Sequence, residues 1–146
     1  MARRGKDTQT MDLFEVPRPA EPLPASMDYR ATVANLTAQI LKDAEGDRHI
    51  VAGAMSRLTG KEISKAMLDA YTSEAREAWN LPFWVVPALE EACGSHELTN
   101  WLADVRGGRL LLGKENLAAQ LGRLIRAKEE TETQIRRLKK LMGEME

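Results

Sequence analysis

The chain has 146 residues, enough for one domain with appendages and too few for two of full size. Its 22 acidic against 21 basic residues give no net charge that would draw it to nucleic acid or to an anionic membrane. With one cysteine and two histidines, a disulfide framework and a cysteine metal cage are excluded, little acid–base chemistry is left, and the expectation is of no enzyme, no cofactor and no metal.

Hydrophobic residues make up 43% but aromatics only 5%, an Ala-, Leu- and Met-rich mixture that predicts an all-α fold. No apolar run approaches the ~20 residues of a membrane span, and Met1–Lys6 leads into no apolar segment. The expectation is a cytoplasmic protein with no membrane partner.

Residues 1–28 read as a flexible tail. Pro17, Pro19, Pro22 and Pro24 forbid a helix there, and the sparse apolar content before them cannot offset the entropy of ordering. Met11-Asp12-Leu13-Phe14 stands out as a compact apolar cluster in this polar stretch, the form of a linear peptide that docks an apolar pocket.

Residues 29–108 read as a helical domain. Asp28 is the expected cap of a first helix carrying Val33, Leu36, Ile40 and Leu41, ended by Gly46. Asp47 caps a second, with Ile50, Val51, Ala54, Met55 and Leu58 on one stripe, stopped by Thr59-Gly60. A third is expected from Lys61 or Glu62, its inner face formed by Ile63, Met67, Ala70 and Tyr71. Beyond a break at Asn80-Leu81-Pro82, a fourth helix either begins near Trp84, with Pro87 in its tolerant first turn, or kinks at Pro87. Gly94 ends it, and Ser95 caps a short fifth helix through Leu98, Trp101 and Leu102. Trp79, Trp84 and Trp101 read as core or domain-edge anchors, and Cys93 as a buried small hydrophobe.

The second and third predicted helices, joined at Thr59-Gly60, suggest a helix-turn-helix whose second helix enters the DNA major groove. With Ile63, Met67 and Ala70 inward, Lys61, Lys65, Asp69 and Thr72 point out and Ser64 lies on the flank. Lys61, Lys65 and, from the preceding helix, Arg57 are candidate phosphate or guanine contacts; Ser64 and Thr72 are neutral readers; Asp69 is a candidate acceptor for a cytosine amine. The competing reading is an ordinary solvated face in which Lys65 and Asp69 pair across one turn. Seven Lys or Arg against eleven Asp or Glu in residues 29–104 weigh on its side.

Gly108-Arg-Leu-Leu-Leu-Gly-Lys-Glu115 has the spacing of a phosphate loop, but Glu115 replaces the hydroxyl that would bind Mg²⁺ and three leucines crowd the loop. It reads as a hinge, with Leu110 to Leu112 packing on the domain. Residues 109–146 then carry a heptad seam: Leu117, Leu121, Leu124, Lys128, Thr131, Ile135, Leu138, Met142 and Met145, in alternating steps of four and three. A homodimer through a coiled coil and a helix folded back on its own core both satisfy that seam.

Three resemblances follow from these residues. Thr10-Met-Asp-Leu-Phe14 resembles the Gln-Leu-Ser/Asp-Leu-Phe pentapeptide of bacterial sliding-clamp ligands, with Thr10 at the glutamine position, and implies that clamp as a partner. Met55-Ser-Arg-Leu-Thr-Gly-Lys-Glu-Ile-Ser-Lys-Ala-Met-Leu-Asp-Ala-Tyr71, with Asn80-Leu-Pro and Ala88-Leu-Glu-Glu-Ala-Cys-Gly94, resembles CII-type helix-turn-helix regulators of temperate phages. The whole chain, including Trp101-Leu-Ala-Asp-Val-Arg-Gly-Gly108, resembles small early-region proteins of Mu-like transposable prophages. Together they imply an all-α regulator or transposition accessory in a bacterial host that binds double-stranded DNA. The alternative is an adaptor that binds proteins and never touches DNA.

Overall fold

A computed structural model describes residues 16–144, so the docking candidates Met11, Asp12, Leu13 and Phe14 lie outside the described residues, as does Met145. The fold is all-α. Among the described residues six α-helices follow in order: α1 (Arg30–Asp43), α2 (Arg48–Thr59), α3 (Lys65–Tyr71), α4 (Val86–Cys93), α5 (Glu97–Val105) and α6 (Lys114–Gly143). The chain divides near Arg109 into a helical domain and a second unit that contains α6. No helix among the described residues is long and apolar enough to cross a membrane.

Within the domain α4 is the hub, packing on α1, α2 and α5, while α2 packs on α3 and α1 on α5. The sequence around α4 dictates this. A 3-10 turn, Phe83–Val85, leads into it, Pro87 falls in the first turn where no N–H is needed, and Gly94 ends it in the left-handed conformation at φ 63°. Leu89, fully buried, meets Met55, Leu68, Ile40 and Val85 in one cluster. The first of the two Pro87 readings is therefore the one realised.

Punctuation residues behave as their chemistry requires. The Asp47 carboxylate accepts from the His49 and Ile50 N–H groups at 2.9 and 3.0 Å, and Gly60 closes α2 at φ 66°. Asp28 lies one residue outside the cap position, because α1 is capped by Tyr29, yet it still accepts from the Arg30 N–H at 3.2 Å. Ser95 likewise sits one residue early, accepting from the Glu97 N–H at 3.2 Å. Cys93 sits half-buried at the end of α4, and burial pushes its thiol pKa up.

Three expectations are corrected. The stripe of α2 is rotated: Val51, Ala52 and Met55 are buried, whereas Ile50 and Leu58 are 65% and 56% exposed. Trp79 is exposed, and so is Trp84, because the one inward residue of the 3-10 turn is Val85. Trp101 does anchor an edge, meeting the Tyr29 ring edge-on at 5.3 Å. Finally, Leu111 and Leu112 are exposed.

The Pro-rich stretch is tied to the domain beside the end of α5. Ala20 donates its N–H to the Val105 carbonyl at 2.9 Å, and Pro19 bridges Arg106. A Cβ on Gly107 would lie 2.4 Å from the Pro19 nitrogen, so only glycine fits there.

The α5 N-terminus is satisfied by a residue from another helix. Buried Glu90 of α4 accepts from the Thr99 N–H at 2.9 Å and from its hydroxyl at 2.6 Å. Replacing Glu90 with Ala orphans both donors and should cost about 1–3 kcal/mol. Leu89→Ala, which leaves a cavity at the hub, should cost about 2–5 kcal/mol. Urea unfolding of each variant followed by circular dichroism checks both values.

Candidate nucleic-acid interface

The α2–α3 connection differs from its sequence expectation in where the second helix begins. α3 starts at Lys65, capped by Ser64, whose hydroxyl accepts from the Met67 N–H at 3.2 Å. Lys61, Glu62 and Ile63 therefore belong to a five-residue turn that runs from Gly60 to Ser64. The turn exists because Ile63 is buried within it and its backbone is held from α2. The Ser56 hydroxyl accepts from the Ile63 N–H at 2.9 Å and donates toward the Ala52 and Ile63 carbonyls, at 2.9 and 3.0 Å. Thr59 adds a second tie: its hydroxyl donates to the Met55 carbonyl at 2.8 Å and accepts from the Lys61 N–H at 3.2 Å.

On α3 the inward residues are Leu68, Ala70 and Tyr71, with Met67 only half-buried. Ile63, Leu68 and Tyr71, spaced five and three apart, thus form the inner edge of the unit. The opposite side carries Lys65, Asp69 and Thr72, partly exposed, with Ala66 exposed. The structure places these three predicted residues together. Arg57 and Lys61 are exposed on the end of α2 and on the turn.

Asp69 is already engaged. Its Oδ2 accepts from the Lys65 ammonium at 2.6 Å and its Oδ1 from the Arg48 guanidinium at 2.6 Å. The same Arg48 nitrogen lies 3.2 Å from the Thr72 hydroxyl, which donates to the Asp69 carbonyl at 3.0 Å. Both carboxylate oxygens are thereby occupied, so the group organises its neighbours and has no oxygen left free of a cation for a base. The i,i+4 pair of the competing reading is present, and Arg48 extends it into a clamp between the start of α2 and α3.

Arg48 is the residue that sequence reading missed. It follows a capping Asp and looks like a surface cation, and nothing local places it against a side chain 21 residues on. The clamp holds two cations against one anion, and each cation keeps unused N–H donors. No other ion pair among the described residues involves Arg48 or Lys65, and none involves Arg57 or Lys61. The region therefore presents a local excess of positive charge in a domain whose balance is negative.

A second feature is bordered by α1, α4 and α5. Val33, Leu81, Phe83, Val86, Leu98 and Trp101 line an apolar groove of about 250 Å³. Phe83, on its rim, is 76% exposed. His49 and His96 are both exposed, and no group of His, Cys, Asp or Glu among the described residues could hold a metal.

Compared with family models, curated proteins and solved structures, the chain matches none.

The Lys65 and Arg48 cations hold the Asp69 carboxyl below the ordinary aspartate range, Lys65 contributing most. A depressed folded-state value means that the stabilisation is present above the unfolded value of about 3.9 and is lost as pH falls through the folded one. In a carbon-detected NMR titration the Asp69 midpoint should lie below those of unpaired aspartates. Lys65→Met should raise it, and an unchanged midpoint would show that the ion pair contributes nothing in solution.

Proposed function

We propose that the chain is a DNA-binding regulator or transposition accessory of a phage or prophage. It uses α2, the Gly60–Ser64 turn and α3 against the duplex, and α6 pairs it with a second copy. The observation that carries this is that the unit holds four cations, Arg48, Arg57, Lys61 and Lys65, against two carboxylates, Glu62 and Asp69, with Asp69 neutralised from both sides. Affinity for DNA rests heavily on phosphate neutralisation. A clamp that fixes Lys65 and Arg48 before binding reduces the side-chain entropy lost when DNA docks. Thr72 lies on the same side with its hydroxyl tied to Arg48 and Asp69, Ser64 caps the helix, and exposed Ala66 lets the helix approach closely. A pair of copies presents two such units to two half-sites.

Met11-Asp12-Leu13-Phe14 keeps, within this proposal, the role of a docking peptide of the sliding-clamp kind. The long α6 supports self-association, because none of its residues is buried within the chain.

One observation favours the adaptor reading. The groove beside Phe83 and the exposed Trp84 give the domain an apolar surface that DNA has no use for. If that surface is the working one, the cations of the α2–α3 unit are merely a solvated face.

Titrating the full chain against early-region phage DNA at several salt concentrations separates the two. Four cations in each of two copies predict an affinity loss of roughly 10³–10⁵-fold between 50 and 200 mM salt. Lys61→Gln with Lys65→Gln should flatten the slope by about 0.9 for every phosphate that is no longer neutralised, with helicity unchanged. Absence of any salt-dependent binding supports the adaptor.

A further inference from the structure

The apolar residues of α6 form a stripe with a defect in its middle. Leu117, Leu121 and Leu124 precede it, Ile135, Leu138 and Met142 follow it, and Lys128 and Thr131 occupy the two seam positions between. All six apolar side chains are exposed, three leucines on the N-terminal half among them. Lys128 reaches toward its own Glu132 at 3.7 Å, and Arg136 approaches the other oxygen of that carboxylate at 3.8 Å.

The position of the defect decides how two copies can pair. In a parallel, in-register pair each seam residue meets its own counterpart, so the two Lys128 ammoniums share one desolvated layer. Like charges in such a layer are costly. In an antiparallel pair, seam positions of opposite type face each other. One register then matches every layer from 117 to 142. Leu117 meets Met142 of the second copy, Leu121 meets Leu138, Leu124 meets Ile135, and Lys128 meets Thr131. A shift by one heptad in either direction puts Lys128 against Leu124 or Leu138.

The matched register also separates the lysines. They fall in adjacent layers about 4.5 Å apart along the axis, each facing a threonine hydroxyl and beside the second copy's Glu132 as well as its own. Flanking positions carry no conflict: Ile125 approaches Glu132, Ala118 approaches Lys139, Ala127 approaches Gln134, and Gln120 approaches Leu141. No like charges meet there.

From this complementarity we infer that α6 docks a second copy of the chain antiparallel, with the two-fold axis between Lys128 and Thr131. This rests on the proposal that α6 self-associates and adds its direction and register. The two Gly113 hinges then leave the coil from opposite ends, separated by roughly the helix length, ~45 Å. The polar layer sets register at a cost in stability, the use best attested for polar groups at such positions.

Disulfide trapping in the full chain tests it. Cys93 is the only native cysteine and is replaced with Ser. Leu121→Cys and Leu138→Cys chains are then mixed in equal amounts and oxidised in a glutathione buffer. The expected product is the mixed species linked from 121 to 138, while each chain oxidised alone stays a free thiol. In the antiparallel register the two copies of position 121 lie about 25 Å apart, far beyond the Cα separation of roughly 4.4–6.8 Å that a disulfide spans.

Leu117→Cys with Met142→Cys repeats the measurement at an outer layer in case loss of Leu121 or Leu138 weakens pairing. Chains that link 121 to 121 and 138 to 138 overturn the antiparallel register while leaving self-association intact. A monomer by light scattering of the unsubstituted chain overturns self-association itself, and the inference with it.

Discussion

Helices of seven to fourteen residues do not stand alone in water, because too few hydrogen bonds follow the costly first turn. Five such helices make up the domain, and each persists only by what it covers. The constraint that serves them all is the need to surround Leu89. α1 and α2 close on α4 and, with Leu68 of α3, shut Leu89 from water, and Glu90 beside it reaches out to finish α5. One turn of α4 therefore supplies both the apolar centre and the polar join, and the α2–α3 unit is held in place from behind by residues that never meet its outer surface.

That arrangement explains which features were readable in the chain itself. Asp47, Gly60, Pro87 and Gly94 act through backbone chemistry confined to a few neighbours, so their roles can be taken from the sequence. The α6 seam is readable for a related reason: a repeat sustained over thirty residues has one straightforward helical interpretation. The stripe of α2 is ambiguous because Ile50, Ala54 and Leu58 have helical spacing just as good as that of Val51 and Met55. Only the location of α4 and α3 chooses between the two faces.

The site was half legible. Lys65, Asp69 and Thr72 share a face at a spacing that any helical wheel reveals, and they do lie together. The start of α3 was not legible, because Ile63 has the right spacing to extend the helix backwards. Its N–H is instead taken by Ser56, a partner seven residues away on another helix. Arg48 and Glu90 belong to the same class. Each is a charged residue whose partner is fixed by tertiary packing, over separations of 21 and 9 residues. Such pairings leave no periodic signature.

The Pro19–Arg106 bridge brings the segment before α1 alongside the segment after α5, and Gly107 is the residue that lets them approach. The polypeptide thus enters and exits the bundle at one corner. A pull applied between the backbone before Pro19 and the backbone after Gly107 would load the Ala20–Val105 hydrogen bond first. That bond would peel like a single stitch before any force reached the α1–α5 core, leaving the bundle folded under tension.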